Sequence, residues 1–137
     1  MPIQQGATNA FKTGLPSGTY DFATDTFKMA LYTGAADIGP TTLSYTATGE
    51  TSGTGYTAGG QTLTGVTVST SGLVAYVNFN PVSWSAAITA RGALIYNTSK
   101  SNKSIAVINF GSDKTSNTTF VITPPANTAT SAVIRLP

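Results

Sequence analysis

The chain has 137 residues, no His, no Cys, 9% charged residues and a net charge of +2. Metal ligation by His or Cys and His-assisted nucleophilic catalysis are thereby excluded. The Lys and Arg residues (Lys12, Lys28, Arg91, Lys100, Lys103, Lys114 and Arg135) are too scattered to neutralise a nucleic-acid backbone. At this length one domain is expected, able to bury a core without disulfides, and no run approaches the roughly 20 apolar residues of a membrane-spanning helix.

Residues 1–18 are polar and punctuated by Gly6, Gly14, Pro16 and Gly18. They read as an extended N-terminal arm preceding a single β-domain over residues 19–137, with Ile3, Phe11 and Leu15 as apolar anchors for a partner. No basic patch followed by an apolar run opens the chain, so no secretory signal is expected. Residues 26–33 alternate strictly, Phe27, Met29 and Leu31 against Lys28, Ala30 and Tyr32, which predicts a half-buried strand. Residues 34–40 break the pattern, and residues 41–48 fit either one helical turn or a short strand.

Residues 50–60 form a Gly- and Thr-rich loop, read as mobile, with Tyr56 as its anchor. Residues 61–69 resume as a strand with a bulge expected at Gly65. Ser71-Gly72 turns the chain into a strand over 73–81, and residues 81–87 form a connection holding the sole tryptophan, Trp84. Residues 88–97 and 104–110 read as a hairpin with apolar side chains on both faces, which predicts a central pair covered on both sides by the N-terminal arm, a loop or another subunit. A turn over 111–117, a strand over 118–123, a stop at Pro124 and Pro125 and a last strand over 132–136 complete the reading. It predicts an all-β antiparallel sandwich, jelly-roll-like, with no amphipathic helix.

Chemistry-bearing constellations are sparse. The glycines from Gly53 to Gly60 lack phosphate-loop spacing and precede a strand rather than a helix. Asp21 and Asp25 could stand at hydrolase spacing, but turn and surface roles account for them better. There is no Ser-x-x-Lys and no Gly-x-Ser-x-Gly, and neither metal nor cofactor is expected. Trp84 with Tyr20, Tyr32, Tyr45, Tyr56, Tyr76 and Tyr96 fits a core first, a protein interface second and a sugar platform third. An uncharged β-domain of this kind suits self-association or docking on a lattice.

Four ordered segments carry a resemblance. They are Phe27-Lys28-Met29-Ala30-Leu31-Tyr32-Thr33; Tyr45-Thr46-Ala47-Thr48-Gly49-Glu50 followed by Gly53-Thr54-Gly55-Tyr56-Thr57-Ala58-Gly59-Gly60; Ala90-Arg91-Gly92-Ala93-Leu94-Ile95-Tyr96-Asn97; and Ile108-Asn109-Phe110-Gly111-Ser112. Together, across roughly residues 26–123, they resemble small virion structural proteins of tailed bacteriophages, most of all capsid cement or decoration proteins. The resemblance implies a non-enzymatic protein bound outside the major capsid protein shell, often as a dimer or trimer, present in the host cytoplasm during assembly. It leaves open a tail- or fibre-associated module that binds a host carbohydrate or receptor. It supplies no catalytic residue, and it implies neither nucleic-acid nor membrane binding. Ile3, Phe11 and Tyr56 are the expected partner-binding residues.

Overall fold

The computed structural model describes residues 3–123 and 134–136. Its strands are β1 (Gly6–Ala7), β2 (Phe27–Tyr32), β3 (Gln61–Thr62), β4 (Thr67–Ser71), β5 (Val74–Asn78), β6 (Val82–Trp84), β7 (Thr89–Asn97), β8 (Lys103–Thr115), β9 (Phe120–Ile122) and β10 (Ile134–Leu136), with one short helix, α1 (Asn9–Gly14). The protein is all-β and antiparallel. A five-stranded sheet runs β1-β8-β7-β2-β3, a three-stranded sheet β10-β5-β4, and β6 pairs with β9.

The alternation along β2 decides the core. Phe27, Met29 and Leu31 face one hydrophobic cluster with Ala93, Ile95, Trp84 and Phe120, while Ala30 and Tyr32 face a second with Leu94, Tyr96 and Val107. Each buried aliphatic or aromatic side chain contributes about 1.5–3 kcal/mol. The period of 2 slips where Ile95 pairs Ala106 but Tyr96 pairs Ser104. Ile105 is the extra residue there, and both Ile105 and Ala106 join the first cluster. The predicted cover over the hairpin's second face is present within the chain: Ile3, Ala36, Ile38 and half-buried Tyr45 close it.

The N-terminal segment differs from the expected extended arm. Thr8 caps α1 by accepting from the Phe11 N–H at 3.1 Å, and its hydroxyl lies 3.2 Å from the Ile105 carbonyl. Phe11 packs at 5.3 Å from Tyr20 and 5.9 Å from Phe22, so residues 3–18 are tied into the domain. A helix this short shows no 3.6-residue apolar period to read from sequence.

Three further expectations are corrected and a fourth is narrowed. Residues 61–69 do not form one bulged strand. Gly65, at φ +64, turns the corner between β3 and β4, where a Cβ would stand 2.4 Å from the Asn80 amide. Residues 81–87 are not only a connection, because Trp84 ends β6 and packs edge-on to Phe120 at 6.2 Å. Residues 111–115 extend β8 instead of turning: the pairing jumps from Gly92–Asn109 to Ala90–Lys114, and the Arg91 side chain closes the resulting bulge by donating to the Gly111 carbonyl at 3.2 Å. Residues 41–48 form no helical turn, and the strand alternative is reduced to a single antiparallel bridge between Ser44 and Lys103. They lie beside β8 through Tyr45 N–H to Asn102 O at 2.9 Å and Ser104 N–H to Leu43 O at 3.0 Å. The predicted stop at Pro124 and Pro125, and positions 132 and 133 of the last strand, lie outside the described residues.

Candidate functional site

The densest polar constellation surrounds Glu50, at the start of the Gly-rich loop. Its Oε1 accepts from the Tyr45 hydroxyl at 2.5 Å. Its Oε2 accepts from the Tyr56 hydroxyl at 2.6 Å and from the Gly59 N–H at 2.8 Å. Tyr56 in turn accepts from the Leu31 N–H at 3.0 Å, and Tyr96 donates to the Gly59 carbonyl at 2.6 Å. Tyr45 stacks on Tyr96 with centroids 4.9 Å apart. Burial first, and then the Glu50 charge, pushes the Tyr96 phenol up to about 12. Tyr32, Tyr45 and Tyr56 are also pushed up, by burial first and then by their proximity or hydrogen bonds to Glu50.

Sequence reasoning missed this cluster. Tyr45 and Tyr56 are near Glu50 in sequence, but the ties to the sheet, Tyr56 to Leu31 and Tyr96 to Gly59, form only in the folded chain. The available signal was Glu50 itself, a lone acid between Asp37 and Asp113 flanked by Tyr45 and Tyr56. Both carboxylate oxygens are engaged, so Glu50 braces the loop against the sheet. The loop expected to be mobile is pinned, and Tyr56 is a half-buried member of that brace, its ring 6.4 Å from Trp84.

A second polar knot holds the start of β2 to the turn between β7 and β8. The Asp25 carboxylate takes Lys100 Nζ at 2.9 and 3.0 Å, the Asn97 amide at 2.8 Å and the Asp21 N–H at 3.0 Å. Burial alone would raise its pKa, but the hydrogen bonds from Lys100, Asn97 and Asp21 outweigh that and hold it below the usual carboxylate range. Asp21 and Asp25 thus meet through backbone and structural contacts rather than across an open cleft. A shallow groove of about 350 Å³ is lined by Thr33, Thr51, Ser52, Thr89, Thr115 and Ser116 together with Ala87 and Ile88. Several are committed to the fold: Thr51 donates to Thr89 O at 2.6 Å, and Ser116 donates to Ala86 O at 2.7 Å.

Ile3 and Phe11, expected to project toward a partner, are 5% and 1% exposed. The correction has a plain cause: each fills a gap in the domain's own core, Ile3 over the outer face of the five-stranded sheet and Phe11 beneath α1. The aromatic platform is not assembled either, since Trp84, Tyr20, Tyr32 and Tyr96 are all buried. The open apolar side chains lie elsewhere, chiefly Leu73, 96% exposed at the tip of the β4–β5 hairpin, Leu43 at 68% and Val68 at 55%. No known protein family, curated protein or solved structure was found to match the chain.

Proposed function

We propose that this is a non-enzymatic structural protein of a tailed-bacteriophage virion, a cement or decoration protein that binds the outside of the major capsid protein shell and stabilises the head. The observation that carries the reading is a run of forty residues, 51–90, without a single Asp, Glu, Lys or Arg. That run includes the β4–β5 hairpin, where Val68 and Leu73 stand open to solvent. An uncharged surface docks on a repeating lattice without like-charge repulsion between neighbouring copies. A protein that binds only the assembled shell stabilises it by mass action. The resemblance of residues 26–123 to cement proteins supports the same reading.

With Ile3 and Phe11 in the core, the docking role passes from an arm to the hairpin and to Leu43. Removal of residues 2–14 would open the core, so it is not a clean test of docking. The decisive experiment is cosedimentation of the purified protein with expanded and unexpanded heads of the phage encoding it, with isolated tails alongside. Saturable binding to heads at a stoichiometry matching a capsid symmetry axis is the expected result. Binding to tails alone would favour the second reading, a tail- or fibre-associated module, for which the Thr- and Ser-rich groove offers a carbohydrate-sized surface.

A further inference from the structure

We propose that the protein self-associates through β4, which pairs antiparallel with β4 of a second copy across a two-fold axis at Ser69. Among the described residues, the outer edge of β4 pairs with no strand. Free edges normally carry a blunting device. In the five-stranded sheet the terminal strands β1 and β3 are two residues long. β6 and β9 have three residues each, as does β10 among the described residues. The stretch of β8 beyond β1 carries Asp113 and Lys114. β4 has none of these guards: Thr67-Val68-Ser69-Thr70-Ser71 is five residues long, uncharged, free of proline and solvated on both faces.

The hairpin geometry fixes the register. Gly72, at φ +60, takes the first central position of a two-residue turn between the paired Ser71 and Val74, where a left-handed residue is required. In such a hairpin the flanking pair is hydrogen-bonded, so Ser71, Ser69 and Thr67 bond inward to β5. The N–H and C=O groups of Val68 and Thr70 therefore point outward. A two-fold at Ser69 sets Val68 opposite Thr70 of the second copy, and Thr70 opposite its Val68, so both outward residues gain antiparallel partners. Thr67 then faces Ser71, and no pair brings like charges together. The occupant is a second copy because the edge is self-complementary under that two-fold and carries no charge to repel its own image. The same pairing carries exposed Leu73 past the end of the second copy's strand toward its half-buried Val66.

This inference is independent of head binding, and its test reads mass rather than capsid occupancy. Sedimentation equilibrium of the full chain should show a species of twice 14.0 kDa that dissociates on dilution. Val68→Lys should raise the dimer dissociation constant by about tenfold or more, because it sets a charge beside the pairing edge. Its far-UV dichroism and thermal midpoint should stay near those of the parent. A second variant fixes the register. In a chain without native cysteine, Ser69→Cys should oxidise to a covalent dimer. The two Cα atoms would stand about 4.5 Å apart in a non-hydrogen-bonded pair, within disulfide reach. Ser112→Cys, exposed on β8, should form no covalent dimer under the same oxidation. A parent chain that is monomeric at its highest soluble concentration overturns the proposal. So does a dimer that Val68→Lys leaves intact, or a Ser69→Cys chain that crosslinks no faster than Ser112→Cys.

Discussion

The β2–β7–β8 centre and β4 of the β4–β5 hairpin are both antiparallel strand structure, yet they live in opposite surroundings. Leu31, Ala93 and Leu94 are wholly buried, with a core on either side of their sheet. Thr67, Val68, Thr70 and Ser71 are exposed. What separates the two is the presence or absence of large apolar side chains on both faces. Where Leu94 and Tyr96 alternate with Ala93 and Ile95, both faces need cover. Where Thr67 and Ser69 alternate with Val68 and Thr70, neither face holds enough apolar surface to recruit any.

The largest effect should come from the buried centre. Leu31→Ala is expected to cost about 2–5 kcal/mol in denaturant unfolding, because the removed side chain leaves a cavity in a close-packed layer. A loss below about 1 kcal/mol would mean that the layer is looser than its burial suggests. Glu50→Gln should cost about 1–3 kcal/mol, since it leaves the hydroxyls of Tyr45 and Tyr56 and the Gly59 N–H competing for a weaker acceptor. Limited proteolysis should then cut within residues 51–60, which the parent resists.

Alkaline titration sharpens the contrast further. Tyr96 is raised in the folded state, so its neutral form carries stability that is full below the ordinary tyrosine range near pH 10 and is lost as pH rises toward about 12. Tyrosinate absorbance should therefore lag and then rise steeply with unfolding, and Glu50→Gln should bring its onset to lower pH. On the acid side, depressed Asp25 contributes stability present above the usual carboxylate range and lost as pH falls through its lower folded value. Asp25→Asn should flatten that limb of the stability curve and leave the alkaline limb unchanged. The smallest effect belongs to the hairpin. Val68→Ala should change unfolding free energy of the dilute monomer by no more than about 0.5 kcal/mol.

Much of the strand framework was legible because it rests on local alternation. β2 lies within the predicted span 26–33, and the two-sided apolar pattern of β7 and β8 called for cover on both faces, which the structure supplies. What sequence hid depends on pairs distant in the chain. β6 is too short to show a period, and Trp84 became a strand residue only by pairing with Phe120. Gly111 looked like a turn because its neighbours are polar, while the Arg91 side chain that holds the bulge comes from the adjacent strand. The Glu50 brace was invisible for the same reason, since its tyrosines come from the strap beside β8, the Gly-rich loop and β7. Ile3 and Phe11 were read as outward anchors because an apolar residue in a polar segment has two destinations, another molecule or the chain's own core, and composition does not choose between them.

The bond from the Thr8 hydroxyl to the Ile105 carbonyl joins positions 97 apart in sequence. A nascent chain therefore cannot seat its first described strand and helix until the ribosome has released the first part of β8, through Val107. Until then Ile3 and Phe11, and the opposite faces of β2 that they help to shield, remain in water. Folding should begin in the β7–β8 hairpin, whose contacts are local, and finish with the capture of the amino-terminal segment. A stalled or truncated translation product ending before residue 103 would emerge with both of its hydrophobic faces bare, a ready substrate for chaperones and proteases.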